Sequence, residues 1–371
     1  MEARLIIFVY SNFILGGAET LILRMSEWLI KRGDKVVLVC HSMDETIKKD
    51  KRIGRIECIL TEKKDKKRKI LKILQKNNNI KDKMIINFFV KDYLLIERLN
   101  KKNDFQNIFY VVHPNNTLSY CKKGLLLSKI KKYIYKNQIK KMYDKNCVYF
   151  MDEDCIKIAE KYYKMDLSKS YSNIIRIPIQ VDKFDNKTRK KSFNILTIAR
   201  FDFPFKGYLL GLIDDFIYLK EIYPQATLTI IGDGKDRDKI EKKLERLNKK
   251  ITKDIMIIGA VPYLSLNSYF KKASIYVGMG TTVLDAVNRG VPAITVYSYS
   301  YEAKTLGFFY EHPNVLAGFT EGGSYPKIAV VELLERVFDL NIEDYDRLVE
   351  KNYQTLKNTY DIEIVLPKFF N

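Results

Sequence analysis

Two groups of residues have the types and spacing to hold an anion. The first is the run from Gly278 to Pro292, Gly-Met-Gly-Thr-Thr-Val-Leu-Asp-Ala-Val-Asn-Arg-Gly-Val-Pro. Apolar runs flank it, Ser274 to Val277 before and Ala293 to Val296 after. The pattern reads as a strand, a glycine turn, a short helix, a Gly-Val-Pro break and a second strand. Such a turn sets the amides of Gly280 to Thr282, two threonine hydroxyls and a helix N-terminus at the carboxyl end of a buried strand. Unpaired amides and the helix dipole both favour negative charge there. Capping of the helix is an equally good use for Thr281 and Thr282, and it does not exclude binding.

The second group is Arg200 and Lys206, which flank a loop after the apolar run Asn194 to Ala199. A guanidinium fork and a point-charge ammonium together suit a diphosphate leaving group. Gly16 and Gly17 follow the first apolar run. They let the backbone approach a phosphate, and Ala18 opens a helix aimed at it. His113, one of three histidines, ends another run ahead of Pro114-Asn115-Asn116. Glu302, Lys304 and Thr305 follow the Ala293 run and are further candidates for lining a cleft.

These residues need elements to hold them. Strand signals fall at Leu5 to Tyr10, Lys35 to Cys40, Met84 to Val90, Asn107 to His113 and Cys147 to Met151. Helix signals alternate with them, the clearest being Ala18 to Arg32, with Leu21, Met25, Trp28 and Leu29 on one face and Gly33 as its stop. After Ile174 to Ile179 the pattern restarts. Strands are expected at Asn194 to Ala199, Thr227 to Ile231, Ile255 to Ile258, Ser274 to Val277 and Ala293 to Val296, and helices from about Tyr208, Lys235, Leu264 and Val283. Alternation of this kind implies α/β domains with parallel sheets covered on both faces. The polar break from Asp182 to Ser192 places the boundary. The expected division is 1–182, 183–345 and a helical tail, 346–371, returning to the first domain. Two doubly wound (Rossmann-like) domains facing across a cleft would collect ligands at their strands' carboxyl ends.

At 371 residues, two domains are the prior. Five scattered cysteines without metal-ligand spacing fit reduced thiols in a cytosolic protein. Leu5 to Tyr10 is too short for a secretory signal, and no run approaches the roughly 20 apolar residues of a membrane span. The net charge of +20 is shared with an abundance of Lys, Ile, Asn and Tyr that an AT-rich genome would also produce. Basic residues nevertheless cluster at 62–76 and 125–142 around near-helical apolar spacing. Such segments suit either an ordinary packed helix or peripheral contact with an anionic membrane. The aromatics fall inside apolar elements rather than between basic loops, so no nucleic-acid partner is expected. Asp152-Glu153-Asp154 has the look of a metal motif but sits at a strand-to-helix boundary, where capping explains it. A dinucleotide fold would need Gly-x-Gly-x-x-Gly and an acidic end to the second strand. Here that strand ends in Cys40-His41, which argues against a dehydrogenase.

Taken in order, the motifs resemble the GT-B glycosyltransferases of family four. Gly16-Gly17-Ala18-Glu19 is similar to the family's opening turn. Ala199-Arg200 with Lys206-Gly207 resembles its diphosphate-holding pair, and Ile231-Gly232-Asp233-Gly234 its Gly-Asp-Gly turn. Ile258-Gly259 and Val261 resemble the segment packing on the base. Leu284-Asp285-Ala286 with Gly290-Val291-Pro292 resembles the Leu-Glu-Ala…Gly-x-Pro helix. The resemblance implies a retaining transferase using a nucleotide-diphosphate sugar, with Arg200, Lys206 and His113 at the reacting centre. Gly16, Gly17, Gly259, Val261, Gly278, Gly280, Thr281 and Thr282 would contact the donor, and Asp285 would bind its ribose. It implies no metal and no cofactor beyond the co-substrate, a glycan or lipid-linked acceptor, and work at the cytoplasmic side of a membrane. The sequence departs from the pattern at Val277, where the family carries a glutamate that contacts the donor sugar. A non-catalytic partner of the same fold is the alternative, and a sugar-nucleotide epimerase a lesser one.

Overall fold

The computed structural model describes residues 2–14, 16–62, 64–100, 104–113, 116, 137–182, 191–318 and 325–370. The chain forms two compact units, Met1–Gln180 with Ile362–Asn371, and Val181–Asp361.

The first unit is built on six parallel strands: β1 Leu5–Val9, β2 Lys35–Cys40, β3 Glu57–Leu60, β4 Lys83–Asn87, β5 Gln106–Val111 and β6 Val148–Phe150. Their order is β3-β2-β1-β4-β5-β6. The runs Leu-Ile-Ile-Phe-Val and Val-Val-Leu-Val-Cys are wholly buried. Helices on both faces of a parallel sheet leave no solvent side, so such strands are apolar throughout rather than alternating. The chain builds outward from β1 to β3, then crosses to the other side of β1. The loops leaving β1 and β4 therefore meet at a topological switch point, where ligands of such sheets bind.

The longer helices of this unit include α1 Gly17–Lys31, α2 Lys66–Lys76, α3 Val90–Asn100 and α4 Glu153–Tyr163. The lysine-rich α2 packs Ile70, Ile73 and Leu74 into the core of this unit. Its apolar stripe is thus occupied inside the fold, and only the outer face, with Lys67, Arg68, Lys72 and Lys76, meets solvent. Lys66 turns inward and reaches Asp92 on α3 at 2.6 Å. Strand β3 had no clear sequence signal: it is a four-residue edge strand, partly exposed along its length. Of the basic segment 125–142, residues 125–136 lie outside the described residues.

The second unit repeats the plan. Its strands are β7 Asn194–Ile198, β8 Thr227–Ile231, β9 Ile255–Ile258, β10 Ile275–Gly278, β11 Ala293–Val296, β12 Lys304–Phe308 and β13 Ile328–Ala329. The order is β9-β8-β7-β10-β11-β12-β13. The first five run parallel; β12 and β13 add an antiparallel edge absent from the sequence reading. The helices are α5 Tyr208–Ile222, α6 Arg237–Glu245, α7 Leu266–Lys272, α8 Thr281–Asn288, α9 Val330–Asp339 and α10 Ile342–Tyr360.

The expected 346–371 tail divides in two. Helix α10 buries Tyr345, Leu348, Val349 and Leu356 and belongs to the second unit. Extended backbone at Asp361 (ψ 130°) ends it. The last helix, α11 Ile362–Phe370, belongs to the first unit. There Phe370 stacks on Trp28 at 6.1 Å, Trp28 Nε1 donates to Glu363 Oε1 at 3.0 Å, and Phe369 meets Tyr110 and Tyr149. No helix among the described residues is long and apolar enough to cross a membrane.

Candidate functional site

In the second unit the switch point lies between β7 and β10. The loop after β7 carries Arg200 and Lys206, and the turn after β8 fixes that loop. Phe201 N–H donates to Asp233 O at 2.9 Å, and Phe203 N–H to the Asp236 carboxylate at 2.7 Å. The two loops approach so closely at Gly232 that a Cβ there would lie 1.8 Å from Ala199 O. Only glycine fits, and its φ of +145° is one that side chains disfavour. The Gly-Asp-Gly turn therefore positions the cationic loop. Below the loop, α5 approaches residues 300–303 through Gly207 and Gly211, where a Cβ would meet Ser300 O at 2.7 Å and Ala303 N at 2.4 Å.

Arg200 is exposed, with Asp202 as its nearest carboxylate at 3.8 Å. Lys206 is half-buried, with its ammonium 4.9 Å from the centre of the Phe205 ring. Among the described residues no carboxylate lies within ion-pair distance of Lys206. Desolvation, and then the like charge of Arg200, push its pKa down to about 7. Two neighbouring cations, one crowded and unpaired, leave an electrostatic vacancy for an anion.

The turn after β10 is divided in its uses. Gly280 adopts φ +79° and opens α8, but its N–H is taken by Leu316 O at 2.5 Å. The amides of Thr281 and Thr282 have no acceptor among the described residues. Nor does the Thr281 hydroxyl have a hydrogen-bond partner among the described residues. The Thr282 hydroxyl has one: its Oγ1 accepts from the buried Tyr276 hydroxyl at 2.6 Å and faces Met279 O at 3.3 Å. A buried phenol needs a partner, and Thr282 supplies it. Gly278 belongs to the same arrangement, since a Cβ there would stand 2.5 Å from the Tyr276 hydroxyl. Of the groups expected on the donor, Gly278 and the Thr282 hydroxyl are thus engaged with Tyr276, and the Gly280 amide with Leu316 O. Val277, at the position of the expected glutamate, is a core residue with no exposure.

Asp285 lies on α8 with its side chain only 4% exposed. Tyr263 donates its hydroxyl to Asp285 Oδ1 at 2.6 Å, and Arg289 stands 3.6 Å from the same oxygen. Arg289 in turn lies over the rings of Tyr263 and Phe270 at 5.4 and 5.0 Å. Gly259 and Val261 are half-buried on the loop that leads into Tyr263. Neither Tyr263 nor Arg289 stands out in the sequence, because their value comes from meeting Asp285. Of the remaining candidates in this unit, Thr305 is buried and bonds to Thr295 O at 2.7 Å, a structural role. Glu302 and Lys304 pair with each other at 3.8 Å.

In the first unit, Gly16 caps α1 at the carboxyl end of β1 and Gly17 is its first helical residue. The buried Glu19 folds back over this terminus, so that a Cβ on Gly16 would meet its Oε2 at 2.6 Å. The anion now nearest that helix N-terminus is therefore the chain's own. His113 ends just beyond β5, where its carbonyl accepts from Asn116 N–H at 2.8 Å; Pro114, Asn115 and Thr117 are outside the described residues. The sequence reading missed an aromatic cluster at this switch point. Tyr10 lies 5.9, 5.6 and 5.4 Å from Phe13, Phe88 and Phe89. The doublet Phe88-Phe89 just after a strand was its only sequence mark. Asp152 is an N-cap, accepting from Cys155 N–H at 2.9 Å, and burial raises its pKa to about 6.

Residues 178–305 match the family model described as glycosyl transferases group 1. Over 253 residues the chain is 26% identical to an uncharacterized glycosyltransferase of Methanocaldococcus jannaschii, covering 61% of this chain and 58% of that protein. It spans little more than half the length of that curated relative. Two solved structures share the fold. A glycosyltransferase from Rickettsia africae superposes with a TM-score of 0.67 at 15% identity, covering 100% of this chain and 97% of that one. HepE of Anabaena, solved with UDP-glucose, gives 0.65 at 12% identity, covering 98% and 97%. Residues 178–305 thus resemble a glycosyl transferases group 1 domain, and the two Rossmann-like units share the GT-B fold of those structures.

Proposed function

We propose that the chain transfers a sugar from a nucleotide-diphosphate donor to a hydroxyl of a glycan or lipid-linked acceptor. The second unit takes the donor and the first the acceptor. The observation that carries this reading is Lys206: an ammonium crowded beside Arg200 at the switch point of its sheet, with no carboxylate within ion-pair distance among the described residues. Binding a diphosphate would neutralise both cations and restore the charged form of Lys206. As the glycosidic bond breaks, charge develops on the departing diphosphate. In this reading Arg200, Lys206 and the amides of Thr281 and Thr282 stabilise it. In this reading they do the work of a cation, so transfer requires no metal.

The fold and the group 1 match support the transferase class. Retention of anomeric configuration, membership of family four, a role in surface polysaccharide synthesis and a hexose donor follow from the resemblance of the motifs. The solvent face of α2, with Arg68, Lys72 and Lys76 beside the exposed Leu60, suits a peripheral contact with an anionic membrane at its cytoplasmic face.

A panel of nucleotide-sugars tests the reading. One donor should stabilise the protein thermally and be consumed when an acceptor is supplied. The paired change Arg200→Ala and Lys206→Ala should abolish the shift. Donor binding without transfer or hydrolysis would instead favour the non-catalytic partner that Val277 allows.

A further inference from the structure

The position read from the sequence as the ribose ligand is Asp285, one methylene shorter than the glutamate expected there. In the structure its carboxylate is almost covered, and the group standing on it is the hydroxyl of Tyr263. Tyr263 itself is half-buried on the loop that also carries Gly259 and Val261, the base-side segment of the donor reading. We propose that Tyr263 is the nucleoside-contacting residue of this site: its phenol oxygen, with Asp285 behind it, accepts the hydrogen bond of a ribose hydroxyl. This rests on the donor reading above and names the residue that meets the sugar of the nucleotide.

Three observations converge on it. A phenol that donates its proton to a carboxylate keeps its lone pairs as acceptors. The charge on Asp285 polarises it, so those lone pairs accept more strongly than an unassisted hydroxyl. Asp285 is held in turn by Arg289, whose guanidinium hydrogen-bonds Asp285 O at 2.9 Å and Asn267 Oδ1 at 2.5 Å. The cluster therefore ties the base-side loop, α7 and α8 together, with the half-buried Tyr263 as its member on the base-side loop. The tyrosine ring supplies the reach that the shorter side chain lacks.

The test compares the tightest-binding member of a panel of ribonucleoside diphosphates with its 2′,3′-dideoxy form. Titration calorimetry is run on the full chain and on Tyr263→Phe. The phenylalanine keeps the ring that packs on Arg289 and removes only the hydroxyl. The ribonucleotide should bind Tyr263→Phe roughly ten-fold more weakly, the scale of a hydrogen bond to a charge-assisted group, while the dideoxy form is unchanged. In transfer assays the donor KM should rise with kcat held. Adding Asp285→Asn should then cost Tyr263→Phe little more, because the two residues act as one unit. Equal weakening of both nucleotides, no weakening, or tighter ribonucleotide binding would overturn the assignment. If wild-type protein bound no nucleoside diphosphate at all, the donor reading itself would fall.

Discussion

Two lysines, one in each unit, separate structure from function here. Lys66 is buried on α2 and closes on Asp92 at 2.6 Å. Lys206 is crowded on the loop after β7, beside Arg200 and the Phe205 ring, with no carboxylate within ion-pair distance among the described residues. Both belong to sheets wound in the same order, and neither is distinguished by its immediate sequence. The difference is what each charge meets. A buried ion pair is complete in the folded chain and asks for nothing further. A crowded cation beside a like charge is costly to keep unless a ligand completes it. Selection for stability alone would replace Lys206, whereas a site for a diphosphate requires it.

The strongest way to break this comparison is to remove the unpaired cations. Arg200→Ala with Lys206→Ala should lower kcat/KM for transfer by about 10³-fold or more, since the proposed function sets both groups against the developing charge. The melting temperature should hold or rise, because neither side chain completes a buried pair and Lys206 is a charge kept at a cost. Steady-state kinetics alongside a thermal melt decide it, and a large loss of stability with intact transfer would reverse the roles assigned to the two lysines.

Lys66→Met should do the opposite. It strands the Asp92 carboxylate and should cost about 3 kcal/mol of stability in a denaturant titration. Affinity for nucleoside diphosphate should stay unchanged in the protein that remains folded.

A third measurement sharpens the contrast through pH. The folded pKa of Lys206, about 7, lies below the usual lysine value, and the proposed diphosphate would raise it. Between those two values binding takes up a proton, so affinity should fall as pH rises above about 7, at most ten-fold per unit. Below pH 7 the ammonium is already charged and contributes no slope. The ligand-free protein shows the matching sign: its depressed lysine makes stability rise with pH above about 7, where the unfolded chain still holds the proton. Lys206→Met should flatten the binding profile, as read by calorimetry across pH.

The smallest effect concerns a carboxylate already employed in the first unit. Asp152→Ala should cost about 1 kcal/mol by uncapping α4, and Asp152→Asn should restore most of it. Restoration by a neutral acceptor marks a cap, and transfer activity should follow neither change.

Several features were legible without coordinates because they are local. Apolar runs of five or six residues mark the central strands β1, β2, β7 and β8. The spacing of Leu21, Met25, Trp28 and Leu29 marks α1, and the glycine turn before Thr281 marks the start of α8. Strand β3 and the antiparallel pair β12 and β13 were not legible, since edge strands are short and partly wet. At the proposed donor site, the sequence marked residue types but not which of their groups are already engaged. Thr281 and Thr282 are neighbours of identical type, yet Tyr276 claims the hydroxyl of the second. Asp285 reads as a ligand, yet Tyr263 lies on it from a loop 22 residues earlier.

What the chain's own order of residues determined is the alternation of strand and helix, the glycines that allow close approach, and the supply of cations at strand ends. Each depends on neighbours in sequence, through periodicity, backbone sterics and capping. What only the tertiary structure decided is which polar groups are already satisfied. Hydrogen bonds and ion pairs between distant segments close some groups and leave others open, and the energetic cost of burial makes that distinction the one on which binding depends.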